Sequence, residues 1–362
     1  MLKRLAFVLT LIMLAGVLTG CTGTPVIYQT NCTCPTAAPT PEVTAAPVVT
    51  AAPVNAEGAL KTGLSIVTSL SDSKAATAEA AGEAKYDVTV VAVTVDAAGV
   101  IQSCLIDSVP ATVAFDAAGA ITSDTAAQVL TKNELGENYG MKKYAGAKYE
   151  WNEQAAALAG YAVGKTVEEL KNGAVGEDGK AKDADLASTA TIYLGGYVGS
   201  IEAAVNNAVE LGAQAGDALR LAIVPSLSDS ASATAEKAGN AQLNVDVAAV
   251  TMNGETITSC LIDSVQAKVA FDAAGAITSD TAAQVLTKNE LGEAYGMKAY
   301  AGSKYEWNEQ AAAFASYVTG KTAADVAGIA VNEKTAPTDA DLASTVTIAI
   351  GGFQGLIAKA AQ

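Results

Sequence analysis

Most of the chain is written twice. Val113 to Glu137 recurs letter for letter as Val269 to Glu293. The match extends, with substitutions, from about Ser69 to the end of the first unit and from Ser226 to near Gln362. The offset is 156 residues through most of the unit. A period this long belongs to tandem globular units and excludes a solenoid of short repeats. Each unit is of ordinary domain size and can bury a core. The boundaries read as 59–212 and 213–362. Identity this close follows from recent duplication, so agreement between copies says little about which residues work.

Within the first unit, Tyr86 to Asp96 alternates and is β-branched, which predicts a strand. Ala97-Ala98-Gly99 is a turn, and Val100 to Asp107 completes a hairpin. Thr112 to Phe115 reads as a further short strand. Trp151 to Val163 carries apolar residues at helical spacing, with Gly164 placed to end the helix. Thr166 to Leu170 opens with a capping-box pattern and predicts a short helix. Ser188 to Leu194 reads as a strand, Gly195-Gly196 as a break, and Val198 to Val209 as a closing helix. Ala203 to Ala222 reads as a helical connection between the units. Strands and helices mix without regular βαβ alternation, so the expected class is α+β.

The first 58 residues are of a different kind. Lys3 and Arg4 precede an apolar run from Leu5 to Val17, too short for a comfortable membrane span and laid out as a secretory signal. Leu18-Thr19-Gly20-Cys21 resembles a lipobox. That resemblance implies cleavage after residue 20, acylation of Cys21 and an extracytoplasmic, lipid-anchored protein. The alternative is a plain signal peptide with a chance cysteine. Residues 21–58 form a Pro/Thr/Ala-rich tether with no periodicity, unable to bury a core. In a polyproline-like state, at about 3.1 Å per residue, it reaches on the order of 100 Å. Cys32 and Cys34 lie within it and allow a local disulfide, an interchain pair or free thiols.

Composition excludes several chemistries. A net charge of −16 argues against nucleic acid as a partner. The chain has no histidine, which rules out a Ser-His-Asp triad, His-ligated zinc and the C-x-x-C-H haem attachment. Its five cysteines place only Cys104 and Cys260 in the repeats, one in each. A four-cysteine iron–sulfur cluster within one unit is therefore impossible. A redox role would rest on an organic cofactor.

Three stretches of each unit stand out. In the first unit they are Thr131-Lys-Asn-Glu-Leu-Gly136 with Tyr139-Gly-Met141, then Glu150-Trp-Asn-Glu-Gln154, then Asp183-Ala-Asp-Leu-Ala-Ser-Thr-Ala-Thr191. The last returns as Asp339 to Thr347, with Val346 in place of Ala190. On these residues each unit resembles the FMN-binding domain family of bacterial cell-surface lipoproteins. The likeness is strongest to two-domain lipoproteins of flavin-based extracellular electron transfer.

The resemblance implies an α+β FMN-binding domain in each unit, with one FMN in each held covalently through threonine. The acceptors would be Thr189 and Thr345, with Asp183 and Asp339 leading, Ser188 and Ser344 before the acceptor, and Thr191 and Thr347 trailing. It implies a flavin transferase, a membrane quinone-linked dehydrogenase as donor and extracellular acceptors, the protein being a carrier rather than a stand-alone catalyst. The family pattern has Ser/Thr-Gly-Ala where this chain has Leu186-Ala187-Ser188 and Leu342-Ala343-Ser344. An alanine there would crowd a close backbone approach to phosphate or ribityl.

Further candidates flank the motif. Trp151, Tyr139 and Met141, with Trp307, Tyr295 and Met297, would pack on the flavin ring or serve the core. Lys132 and Glu134, with Lys288 and Glu290, would meet flavin polar edges or stay solvated. Two other functions fit the chain: a non-redox surface lipoprotein of tandem binding or structural repeats, and a source of a signal-peptide-derived pheromone.

Overall fold

The computed structural model describes residues 58–362. The signal segment, Cys21, Cys32, Cys34 and the tether up to residue 57 lie outside them. The described chain is α+β, built from two similar halves in which strands come first and helices follow.

In the first half, β1 (Ala59–Ser69), β2 (Gly82–Val95) and β3 (Ile101–Phe115) form an antiparallel meander. The helices are α1 (Lys132–Leu135), α2 (Met141–Ala145), α3 (Trp151–Ala162), α4 (Val167–Ala174), α5 (Ala184–Thr189) and α6 (Gly195–Asn206). Strand β4 (Val209–Gln214) returns to pair with β1, giving the sheet order β3-β2-β1-β4. The second half repeats the meander as β5 (Ala218–Ser226), β6 (Gly239–Asn253) and β7 (Thr256–Phe271). Its helices are α7 (Lys288–Leu291), α8 (Met297–Ala301), α9 (Trp307–Val318), α10 (Ala323–Ala327), α11 (Ala340–Ala343) and α12 (Gly351–Ala360).

Strand β2 is apolar on both faces, as a strand covered on both sides must be. Val88, Val90 and Ala92 enter a core lying between the two sheets. Val91, Val93 and Val95 face the opposite way, into a core shared with α3, α5 and α6. In the second half, Val250 and Ile262 join α9, α11 and α12 in the equivalent outer core. The result is helix layer, sheet, sheet, helix layer.

The inter-sheet core belongs to both copies at once, where the repeat alone predicts a core for each unit. Its centre is nearly symmetric. Phe115 and Phe271 stack with centroids 4.1 Å apart and planes 6° from parallel. Burying two such rings stabilises the fold by about 1.5–3 kcal/mol each. Gly82 and Gly239 lie against these rings, and a methyl at either would enter the neighbouring phenyl. Around the centre, Ala76 N donates to Gly275 O (2.9 Å) and Ala233 N to Gly119 O (2.7 Å). A buried hydroxyl contact, Thr62 to Ser259 at 2.7 Å, continues to Thr251 and ties the sheets beneath β4.

Several sequence expectations change. The two short strands expected at Val100–Asp107 and Thr112–Phe115 are one strand, β3, running through Pro110. It lies at a sheet edge, where a residue without an N–H is tolerated. Ser188–Leu194 is not a strand. Asp183 starts a helical turn that includes Ser188 and Thr189, and Gly195-Gly196 opens α6 rather than breaking the chain. The expected helical connection over Ala203–Ala222 ends at Asn206 and becomes β4 and the start of β5. The boundary at residue 212 therefore falls inside a strand that extends the first copy's sheet. Among the described residues no helix is long and apolar enough to cross a membrane.

Candidate functional site

The repeated nonapeptide forms a short capped helix in both copies. Asp183 is its N-cap, its Oδ1 accepting from Asp185 N and Leu186 N at 3.0 Å each. Asp339 does the same for Asp341 N (3.2 Å) and Leu342 N (3.1 Å). A carboxylate at this position satisfies N–H groups that the first helical turn leaves free and opposes the positive end of its dipole. Leu186 and Leu342 point inward and are buried. The leading aspartates thus have a clear local task in folding.

Thr189 closes the turn, its hydroxyl donating to Leu186 O at 3.1 Å. Thr345 Oγ1 donates to Leu342 O at 3.3 Å. Both side chains are half-buried and are flanked by exposed serines, Ser188 and Ser344, which donate back to Asp185 O and Asp341 O at 2.7 Å. Thr191 and Thr347 sit beyond the turn in a loop held by one glutamine in each copy. Gln154 Oε1 accepts from Thr191 N (2.7 Å), Thr191 Oγ1 (3.1 Å) and Ile192 N (3.1 Å). Gln310 repeats the set with Thr347 and Ile348. Both glutamines are fully buried. In the sequence, the recurrence of Glu-Trp-Asn-Glu-Gln is the signal that marks them.

The same helix gathers the remaining motif. Buried Glu150, at the start of α3, accepts from Met141 N (2.8 Å) and Lys142 N (3.0 Å). Gln154 Nε2 lies 3.8 Å from Met141 Sδ. Glu306 holds Met297 N and Lys298 N in the second copy. One helical turn of α3 therefore fastens both α2 and the loop after α5. All three sequence motifs meet there.

Lys132 and Trp151 lie deeper. Trp151 is buried, donates Nε1 to Tyr197 OH at 2.9 Å, and has the Lys132 ammonium 5.0 Å from its ring. Lys132 Nζ is also 5.4 Å from the Tyr139 ring and 3.3 Å from Asp87 Oδ1. Burial alone would depress this lysine, but the Asp87 carboxylate and the Tyr197 and Tyr139 phenols outweigh it and hold its pKa above the ordinary value. The second copy differs. Asn244 stands where the first copy has Asp87, and Phe353 where it has Tyr197. Lys288 keeps the rings of Trp307 (4.7 Å) and Tyr295 (5.3 Å), and burial, only partly offset by Asp246 and Asp263, lowers its pKa. Tyr295 OH donates to Gln266 at 3.2 Å. Both tryptophans are core residues of the helix layers.

Glu134 and Glu290 complete capping boxes with Thr131 and Thr287. Glu134 also meets Lys359 of α12 at 2.6 Å, a bridge between the copies. Beneath these caps lies a buried carboxylate that sequence reading passed over. Asp107 accepts from Ser108 N (2.7 Å) and Asn133 N (3.1 Å), and Asp263 accepts from the equivalent groups. Burial pushes both carboxyls up to about 6. The free thiols of Cys104 and Cys260 are buried and pushed up to about 12 by the same cause, which makes them inert.

The Thr189 and Thr345 hydroxyls are half-buried, bond only carbonyls of their own turns, and have exposed neighbours. Ala187 is exposed, as are Ala184 and Asp185. Ala187 therefore lies on the open side of the turn, where its methyl meets solvent and not the core. In the second copy Ala343 is half-exposed and Ser344 exposed. Among the described residues no cluster of His, Cys, Asp and Glu is arranged to hold a metal ion. No family model, curated protein or solved structure matches the chain.

Proposed function

We propose that this protein is a lipid-anchored, extracytoplasmic electron carrier with one FMN esterified to Thr189 and a second to Thr345. Attachment is a phosphoryl transfer. The threonine oxygen attacks the FMN phosphorus of FAD, the bond to AMP breaks, AMP leaves and the hydroxyl proton is lost. The bound flavin supplies reversible one- and two-electron chemistry. The chain's own residues hold the turn. Asp183 and Asp339 cap it, Gln154 and Gln310 fix the loop that follows, and Leu186 and Leu342 anchor it to the helix layer.

The observation that carries the reading is the paired turn. In each copy a threonine hydroxyl lies at the end of a capped helical turn at the edge of the protein, its only partners carbonyls of its own turn. Acylation at Cys21 would keep the carrier at the membrane face, where a quinone-linked dehydrogenase donates and extracellular acceptors receive.

The test is expression with a flavin transferase, followed by a denaturing gel viewed under blue light and intact-mass measurement. The expected result is fluorescence at the protein band and a mass increase of two FMN groups. Thr189→Ala and Thr345→Ala each remove one group, and together they remove both. A dark band and an unshifted mass refute the proposal.

A further inference from the structure

The short helices α2 and α8 each present a tyrosine to solvent. Tyr144 is 76% exposed and Tyr300 is 90% exposed. Neither ring dangles. Gly140 and Gly296 precede them in the left-handed region, at φ 83° and 86°. The ring lies against that glycine so closely that a Cβ at Gly140 would stand 2.6 Å from Tyr144 Cδ2, and one at Gly296 would overlap Tyr300. Tyr144 N donates to Gly140 O (2.8 Å) and Tyr300 N to Gly296 O (2.9 Å), which closes the turn. Only glycine combines this backbone with room for the ring.

Folding alone gives little reason for the arrangement, because an exposed ring buries little apolar area. The surrounding sequence has drifted between copies: Asn138, Lys143 and Ala147 in the first are Ala294, Ala299 and Ser303 in the second. The Gly–Tyr geometry keeps its form across these changes: the left-handed glycine and the turn-closing hydrogen bond are present in both copies.

The scaffold connects each tyrosine to its threonine; in the second copy Glu306 holds Met297 N, and Gln310, which holds Thr347, donates Nε2 to Ser303 Oγ just after α8 at 3.3 Å. Met141 opens α2, its N–H is held by Glu150, and its sulfur lies beside Gln154, whose oxygen holds Thr191. Two side chains of one helical turn, Glu150 and Gln154, thus fix the tyrosine turn and the threonine turn relative to each other.

We propose that Tyr144 and Tyr300 are the stacking platforms on which the flat ring of the tethered flavin rests, one per copy. This rests on the reading of Thr189 and Thr345 as flavin acceptors. A ribityl phosphate is a flexible tether, and a ring on such a tether needs a pre-set surface to hold one orientation. An exposed phenol ring fixed by glycine supplies a flat π-face at low entropic cost.

The experiment uses the full chain carrying Thr189→Ala, so that only Thr345 is loaded. This copy has Ala349 where the first has the exposed Tyr193, which removes a second phenol from the comparison. A phenol stacked on an excited flavin donates an electron and takes it back, shortening the fluorescence lifetime with no net chemistry. The expected result is a several-fold longer lifetime and a loss of visible circular dichroism on Tyr300→Leu. Tyr300→Phe keeps the dichroism, because a flat ring remains, but lengthens the lifetime. The melting temperature stays unchanged in both, as the residue is exposed.

A lifetime unmoved by Tyr300→Leu overturns the platform while leaving flavin attachment standing. Equal loss of dichroism with phenylalanine and leucine overturns it too. A chain that takes up no flavin overturns the attachment and the platform together.

Discussion

Replacing Gln154 with leucine removes the contact on which the candidate site of the first copy depends, along with the Nε2 donation to Tyr149 O at 3.0 Å. The side chain is fully buried, and its one oxygen accepts from Thr191 N, Thr191 Oγ1 and Ile192 N at 2.7, 3.1 and 3.1 Å. Leucine has similar volume and accepts nothing. Two backbone N–H groups lose their partner, and each orphaned group costs about 1–3 kcal/mol when it stays away from water. One oxygen shared three ways makes weaker bonds than three separate acceptors, so the lower half of that range applies. The sum is about 3 kcal/mol of local stability. It converts to roughly 100-fold faster amide hydrogen exchange at Thr191 and Ile192 by local opening. The assay is hydrogen exchange read by mass spectrometry on the full chain. The duplication supplies an internal control, since Gln310 still holds Thr347 and Ile348. Flavin loading at Thr189 should fall while loading at Thr345 persists. Unchanged protection of residues 190–192 would refute the claim that this glutamine organises the loop.

Other perturbations test other parts. Asp107 and Asp263 titrate near 6 in the fold against an ordinary 3.8, so the folded state binds the extra proton between those values. Their contribution to stability therefore grows as pH falls through about 6 and is complete below the unfolded pKa, each costing up to about 3 kcal/mol at pH 7. Asp107→Asn with Asp263→Asn should raise the pH 7 melting temperature more than the pH 4 one; an equal shift at both refutes the burial argument. Gly82→Ala pushes a methyl into the Phe115 ring and should cost about 1–3 kcal/mol in urea unfolding. Ala or Ser at exposed Gly195 should cost much less. Lys359→Met removes the bridge to Glu134, a partly exposed pair, and should cost under about 1 kcal/mol and less at high salt.

The long periodic elements were legible in the sequence, and the joints were not. The alternation of Val and Thr in β2 and the apolar spacing of α3 survive intact because the strand is largely buried and the helix buries one continuous face. The capping box at Thr166 formed as its spacing demands. Strands β1 and β5 were not legible, since glycine, serine and proline interrupt their apolar patterns. The Ala/Ser/Thr run at Ser188 has the composition of a strand, but the Asp183 cap four to five residues earlier outweighs propensity and winds it into a turn. The motif singles out the candidate threonines, and the fold adds the turn that holds them. Gln154, Asp107 and Tyr144 were not, because a buried amide, a buried acid and a glycine-fixed ring have meaning only through partners that the fold supplies.

The back-to-back sheets have one more consequence. Sheets pack about 10 Å apart and a helix layer adds about 10 Å on each side, so the two outer layers stand roughly 30 Å from one another. Leu186, in the turn that ends at Thr189, is buried in one helix-layer core, and Leu342, in the turn before Thr345, in the other, so the two candidate threonines belong to different layers. The protein is two-faced. A change confined to one helix layer therefore leaves the other copy's turn as an internal reference within the same molecule.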